Sequence, residues 1–357
     1  MIFQLLVLAT SVLSAPLDPR ATTTCVVTSY AGFATCASST SIHIKGPITV
    51  PANEVIDWSG LKSGTEVLLS GTVTFTKGTL KESGPKLITV GGSGITFKGD
   101  PTDPGILDGQ GASYWDGKGS NGGVPKPKFF RVETTGTSVF SNFKILNAPV
   151  QAFSIGGSDT TLEHITYDNS AGDSKGHNTD AFDVSANGIT IQNSWVHNQD
   201  DCLAVNSANT VNFLNNICIG GHGISIGSVA SGAVVENVLV KNCTVQSSTF
   251  GVRIKTDYGA TSGSVSKITY EDITLKDIST MGVVVRQDYE NGDPVGKAVS
   301  KLPISDVTLT NVHGTVTSSA DSVFILCATG ECTEFTWSEI NITPKKTSCV
   351  GVSPTGC

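Results

Sequence analysis

Asp180, Asp201 and His222 stand immediately ahead of three short apolar strands that align without gaps: AFDVSA from Ala181, CLAVNSA from Cys202 and GISIGS from Gly223. If those strands stack as neighbours, about 4.8 Å apart, two carboxylates and an imidazole form a column, with Asp200 beside Asp201. The next unit, GVRIKT, adds Arg253 and Lys255 on the face opposite the inward Val252 and Ile254, and Tyr289 follows one unit later. Carboxylates held so close repel one another, so at least one should keep its proton above the usual range. A protonated and an ionised carboxyl side by side are what hydrolysis of a glycosidic bond requires. One gives a proton to the leaving oxygen while the other activates water. The adjacent cations suit a sugar that itself carries a carboxylate.

Each residue taken singly has a plainer role. Asp180 would cap a turn, Asp200 and Asp201 would be a solvated acidic pair, and His222 a turn histidine between glycines. Arg253 and Lys255 would be exposed strand residues, and Tyr289 a loop tyrosine. Their equivalent positions in consecutive units weigh against that reading. Asp183, next to the column, is read as structural.

The elements that position these residues come from internal repetition. Seven segments alternate apolar and polar residues: SVFSNFKI, TLEHITY, ITIQNSWV, VNFLNNICI, VLVKNCTV, ITYEDITL and VTLTNVHG. Most carry Asn or Asp near the middle, at Asn142, Asn193, Asn215, Asn242, Asp272 and Asn311, and a second strand of the AFDVSA type follows within each unit. One such unit cannot bury its apolar face, whereas stacked units share a continuous core. The units lack amphipathic helices, which sets aside βα solenoids and TIM barrels. The expected architecture is an all-β parallel β-helix in one domain over residues 21–357. Turn asparagines would form ladders, and the weakly repetitive stretch before about residue 135 would hold early coils and a cap.

Thirty-nine glycines and only two methionines in 357 residues agree with short strands and tight turns. The net charge of −8 and the lack of a basic stripe argue against nucleic acid as partner. Residues 1–15 read as a signal peptide, too short to span a bilayer, and Pro16–Arg20 as a propeptide. The protein is expected outside the cell, as a monomer with no membrane attachment. Nine cysteines fit that compartment. Their spacing suggests Cys25–Cys36, Cys202–Cys218, Cys327–Cys332 and Cys349–Cys357, with Cys243 left as a buried thiol. Asn242 and Asn341 head glycosylation sequons.

Asn178-Thr179-Asp180, Gln199-Asp200-Asp201, Gly221-His222-Gly223 and Arg253-Ile254-Lys255 together resemble the four motifs of the polygalacturonases, glycoside hydrolase family 28. The likeness extends over most of the mature chain, through LDGQGASYWDGKGSNGG from Leu107 to Tyr289. It implies a right-handed helix and hydrolysis of α-1,4 galacturonosyl bonds in pectin with inversion, without cofactor or metal. By position, Asp200 would be the general acid, Asp180 and Asp201 would hold the attacking water, and His222 would tune the acid. Arg253 and Lys255 would bind the substrate carboxylate and Tyr289 would position the sugar. Inversion asks for roughly 6.5–9.5 Å between Asp200 and at least one base. Internal (endo) cleavage is expected, because no long insertion would block an end of the groove. The alternatives are an exo-enzyme, a rhamnogalacturonan hydrolase, a calcium-dependent pectate lyase or a pectin lyase, and a non-catalytic binding solenoid.

Overall fold

A computed structural model describes residues 23–290 and 293–354. The expected signal peptide and propeptide, and Cys357, lie outside the described residues.

Alternation along each strand dictates the fold. In Phe182–Val184 the two apolar residues point inward and are fully buried, while Asp183 between them turns outward. The same period of two recurs in Leu203–Val205 and Ile224–Val229, and the inward residues stack in register: Phe182 on Leu203, Leu203 on Ile224, Ile224 on Val252, Val252 on Val283. Parallel pairing of this kind builds a 21-stranded sheet and a 12-stranded sheet, the second carrying one short antiparallel strand at Asp293–Pro294. Each coil contributes to both, and the chain winds as a right-handed parallel β-helix.

Aromatic rings reinforce the early rungs of the core. Phe130, Phe153 and Phe182 stack at centroid spacings of 5.4 Å on both steps. The N-terminal end is closed by a helix, Tyr30–Cys36, whose Phe33 lies edge-on to Trp58 at 5.5 Å and accepts a 2.9 Å hydrogen bond from the Trp58 indole N–H at its carbonyl. The Cys25–Cys36 disulfide ties that cap to the first strand.

The turn residues behave as their chemistry demands. Asn142, Asn193, Asn215, Asn242, Asp272 and Asn311 all adopt φ between 50° and 60°, a left-handed conformation that Asn and Asp tolerate better than other side chains. His164 takes the same corner in its coil at φ 52°. Ladder bonds run from the Asn215 amide to Asn193 (3.3 Å) and from the Asn311 amide to Asp272 (2.9 Å). The fully buried Asn216, one residue along, does more than its neighbour. Its Oδ1 accepts the Ser194 N–H at 2.8 Å and its Nδ2 donates to the Ile191 carbonyl at 3.0 Å.

Cys202–Cys218 and Cys327–Cys332 are also bonded, and Cys243 is a buried free thiol. Cys349 is disulfide-bonded; Cys357, its expected partner, is outside the described residues. Cys202–Cys218 closes a loop of separation 16 that begins next to Asp201, so it braces the coil carrying that residue. No helix among the described residues is long and apolar enough to cross a membrane.

Because Phe182 is fully buried between Phe153 and Phe213, Phe182→Ala should cost about 3–5 kcal/mol. Urea unfolding measures this, and a loss below about 1 kcal/mol would show that the core collapses around the gap.

Candidate active site

Strand register carries the column into space. Asp180, Asp201 and His222 each lie two residues before the paired Phe182, Leu203 and Ile224. Backbone bonds fasten the rungs, from Ala181 N–H to the Asp201 carbonyl (2.9 Å) and from His222 N–H to the Asp200 carbonyl (2.8 Å). The latter approach needs glycine beside it, since a Cβ on Gly221 would sit 2.1 Å from the Asp200 carbonyl oxygen.

Asp201 is the floor of the site. Its carboxylate accepts from the Arg253 guanidinium, from Lys255 Nζ at 2.8 Å and from the Ser225 hydroxyl at 2.8 Å. Its side chain is only 2 % exposed, and those of Arg253 and Lys255 are 7 % exposed. Ser225 also accepts from Arg253 Nε at 2.9 Å. Phe250 lies under the guanidinium at 4.5 Å and Tyr289 faces Lys255 Nζ at 5.1 Å.

Asp200 sits nearer the mouth. Its Oδ1 accepts from the Asp201 N–H at 2.8 Å and pairs with His222 Nδ1 at 2.9 Å; an ionised carboxylate only accepts, so Nδ1 carries the proton. Its Oδ2 accepts from the Asn178 amide at 3.3 Å. The other motif residues lock the coils together. The Thr179 hydroxyl bonds both the side chain and the N–H of Gln199, at 3.0 and 2.8 Å. Asn198 Nδ2 bridges the carbonyls of Thr179 and Asp201 at 2.9 and 3.0 Å.

Asp180 differs from both neighbours. Its buried Oδ1 has no hydrogen-bond partner among the described residues. Burial, then the charges of Asp200, Asp183 and Asp201, push its pKa well above the usual carboxylate range, against the pull of Lys255. Asp183 is raised to about 7, mainly by burial, with Lys128 opposing and Asp201 and Asp200 adding to the rise. Burial also works to raise Asp200. There the His222 hydrogen bond and the charges of His222, Lys255 and Arg253 outweigh it and hold the carboxyl below its ordinary value.

The expectation of a carboxyl with a raised pKa is met, but on Asp180 and Asp183. Asp200, the expected acid, is shifted the other way, because burial is outweighed there by the His222 hydrogen bond and the nearby cations. Asp183 is likewise not a purely structural residue, since it lines the same cleft.

That cleft, about 640 Å³, brings together all seven residues singled out from the motifs, with Asn178, Asn206, Gln151 and Phe250 around them. Ser225 was not singled out, although the ungapped strand alignment places it in the outward column of Asp183 and Arg253. Ligand atoms of Asp200, Asp201 and His222 approach within 4.8 Å, a set that can hold a cation. Both Asp201 oxygens are already taken by cations and a hydroxyl, however, and calcium asks for six to eight oxygens. A dication there would also face Arg253 and Lys255.

Comparison with known proteins adds three findings. A model of "Glycosyl hydrolases family 28" matches residues 39–357. An endo-polygalacturonase of Sclerotinia sclerotiorum is 54% identical over 327 residues, 90% of this chain and 83% of that one, and endopolygalacturonase B of Aspergillus oryzae is 46% identical over 350 residues, 97% and 95%. Among solved structures, endopolygalacturonase I of Stereum purpureum with two bound galacturonates superposes with TM-score 0.78 at 39% identity, covering 92% of this chain and 99% of that one.

The raised Asp183 has a stability consequence with a definite sign. A folded pKa near 7 against 3.8 for the free side chain means that its contribution is complete below about pH 4 and fades as pH rises through 7. Asp183→Asn stays neutral throughout, so it should lose less stability than the parent between those limits. Urea midpoints measured across that range would decide it; parallel curves would place the Asp183 proton elsewhere.

Proposed function

Because the chain belongs to glycoside hydrolase family 28, its cleft works on a glycosidic bond, and we propose that it cuts internal α-1,4 links between galacturonate units of homogalacturonan, with inversion. The observation that carries the internal cut is a groove continuing past the carboxylates on both sides. One neighbouring hollow shares Asp183 and Asn206 with the central cleft, and the other shares Ser228 and Tyr289. A polymer can then lie across the site without ending in it.

The roles follow from local chemistry. Arg253 and Lys255 carry one positive charge more than Asp201 neutralises, and their remaining donors meet the carboxylate of a bound sugar. Tyr289, packed on Lys255, supplies a wall for the ring. Asp200 delivers the proton to the bridging oxygen. The contact from His222 Nδ1 at 2.9 Å orients the Asp200 carboxyl for that transfer. Water is held on the opposite face by Asp201, whose carboxylate bonds both cations, and by Asp180, whose Oδ1 has no donor among the described residues. Inversion requires roughly 6.5–9.5 Å between the acid and a base, and Asp180 is the base assigned that separation from Asp200. The cleft needs no metal or organic cofactor for these steps.

Three disulfides among the described residues suit an oxidising compartment. The protein is accordingly assigned as a secreted monomer, with residues 1–15 as its export signal, 16–20 as propeptide and 21–357 as the catalytic domain. Asn242 and Asn341 are exposed and open to glycosylation.

Purified protein on de-esterified homogalacturonan without calcium should release reducing ends with a rapid fall in viscosity and a spread of oligomer lengths. Immediate monomer release with viscosity preserved would replace the internal cut by an exo one. Unsaturated products lost on chelation would replace hydrolysis by elimination. Asp200→Asn should lower kcat about 10²- to 10⁴-fold while thermal unfolding and polymer binding are retained. Activity should peak below neutral pH, because Asp200 must hold a proton when it acts as the acid; a maximum well above pH 7 contradicts this assignment.

A further inference from the structure

We propose that the loop of residues 116–126 positions the acid of the reaction, acting through Asn178 on Oδ2 of Asp200. The proposal rests on the reading of Asp200 as general acid and adds what holds its carboxyl in place.

Hydrogen-bond chemistry leaves Asn178 one orientation. The Ser120 N–H can only donate, and it meets the Asn178 side chain at 2.9 Å, so the oxygen of that amide faces the loop. Its nitrogen is thereby turned to Asp200, where it donates to Oδ2 at 3.3 Å. Oδ1 of Asp200 already accepts the Asp201 N–H at 2.8 Å and is met by His222 Nδ1 at 2.9 Å. Among the described residues, Asn178 is the one hydrogen-bond partner of Oδ2. Oδ2 is therefore the oxygen with room for a transferable proton, and the Asn178 N–H sets the plane in which that proton points.

The loop is built to hold Ser120 still. Asp116 closes it from within: Oδ2 accepts the Val124 N–H at 2.7 Å, and Oδ1 takes the Lys118 N–H at 3.1 Å and Lys126 Nζ at 2.8 Å. Lys126 is buried, and its ammonium also donates to the Val124 carbonyl at 2.9 Å. A second anchor runs from the Gly117 N–H to the Lys175 carbonyl, at 3.0 Å. The approach to Asn178 demands glycine. A Cβ on Gly119, where φ is +53°, would lie 2.3 Å from Asn178 Oδ1 and 2.8 Å from the His177 carbonyl oxygen. Asn121, one residue past Ser120, lines the cleft, whereas Asp116 and Lys126 do not. That ion pair can reach the chemistry only through the loop.

Asp200 is surrounded by charge. His222, Lys255 and Arg253 favour its ionised form, while the carboxyls of Asp180, Asp183 and Asp201 line the same cleft. The Asn178 N–H is a further donor to the ionised form, so its loss should raise the pH at which Asp200 gives up its proton.

Three variants test the proposal. Asn178→Asp keeps an acceptor for Ser120 but offers Asp200 no donor, Asn178→Ala loses both contacts, and Asp116→Asn loosens the loop from outside the cleft. On de-esterified homogalacturonan both Asn178 variants should lower kcat roughly 10- to 100-fold and leave KM within about twofold. The alkaline limb of their kcat–pH profiles should move to higher pH, furthest in Asn178→Asp, where a second carboxylate adds repulsion. Asp116→Asn should lower kcat roughly three- to tenfold alone, but less than about twofold in the Asn178→Ala background, because both changes act through one contact. If Asn178→Ala does not fold, the kcat and alkaline limb of the isosteric Asn178→Asp decide. An unmoved limb, a loss confined to KM, or losses that multiply in the double variant would overturn the positioning role while Asp200→Asn stays inactive. Full activity in Asp200→Asn would overturn the acid assignment, and this proposal with it.

Discussion

The in-register parallel pairing of successive coils is the constraint from which everything else in this molecule follows. It fixes one rung spacing, sends alternate side chains inward to a shared core, and leaves the others in outward columns. Residues as far apart in sequence as Asp180 and Tyr289 then meet in one cleft. A slip of one residue would turn Asp183 and Ser225 into the core and expose Phe182 and Ile224. The buried aromatic stack and the turn ladders resist such a slip, one by packing and the other by paying for corner conformations with side-chain hydrogen bonds.

Within that frame the cleft is organised around a buried anion. Asp201 is out of water, and an uncompensated carboxylate there would be prohibitively unstable. Arg253, Lys255 and Ser225 enclose it, and this enclosure in turn immobilises the two cations. The excess positive charge spreads to Asp200, where His222 adds its own donor, while Asp180 and Asp183 lie where burial and like charge dominate. Carboxyl groups of the same intrinsic acidity are thereby shifted in opposite directions by position alone, Asp180 and Asp183 upward and Asp200 downward. Such division is what lets one site supply both an acid and a base.

The groove shows a parallel economy along its length. Lys86, Lys128 and Arg131 lie on the side of Asp183, and Asp257, Tyr258 and Glu290 line the hollow on the side of Tyr289. The floor is the same sheet throughout, so differences in charge from end to end come from outward residues that the core does not constrain.

Much of this was legible in the amino-acid order. Period-two alternation and recurring Asn or Asp at the corners specify a parallel β-helix, since only stacked coils bury those faces. The ungapped alignment of the strands from Ala181, Cys202, Gly223 and Gly251 already puts Asp180, Asp201 and His222 in one column, with Arg253 and Lys255 one coil on. Other features depend on distances that spacing does not encode. Ser225 looks like any small strand residue until it is found between Asp201 and Arg253, and Asp183 looks structural until the cleft opens over it. The placement of the proton was likewise decided by tertiary structure. Side-chain chemistry requires that clustered carboxyls share protons unequally, but which one gives way depends on burial and on whether a donor such as His222 Nδ1 lies at 2.9 Å. Sequence determined which groups meet; three-dimensional packing determined what each feels there, because electrostatic energy depends on separation and solvent access rather than on order along the chain.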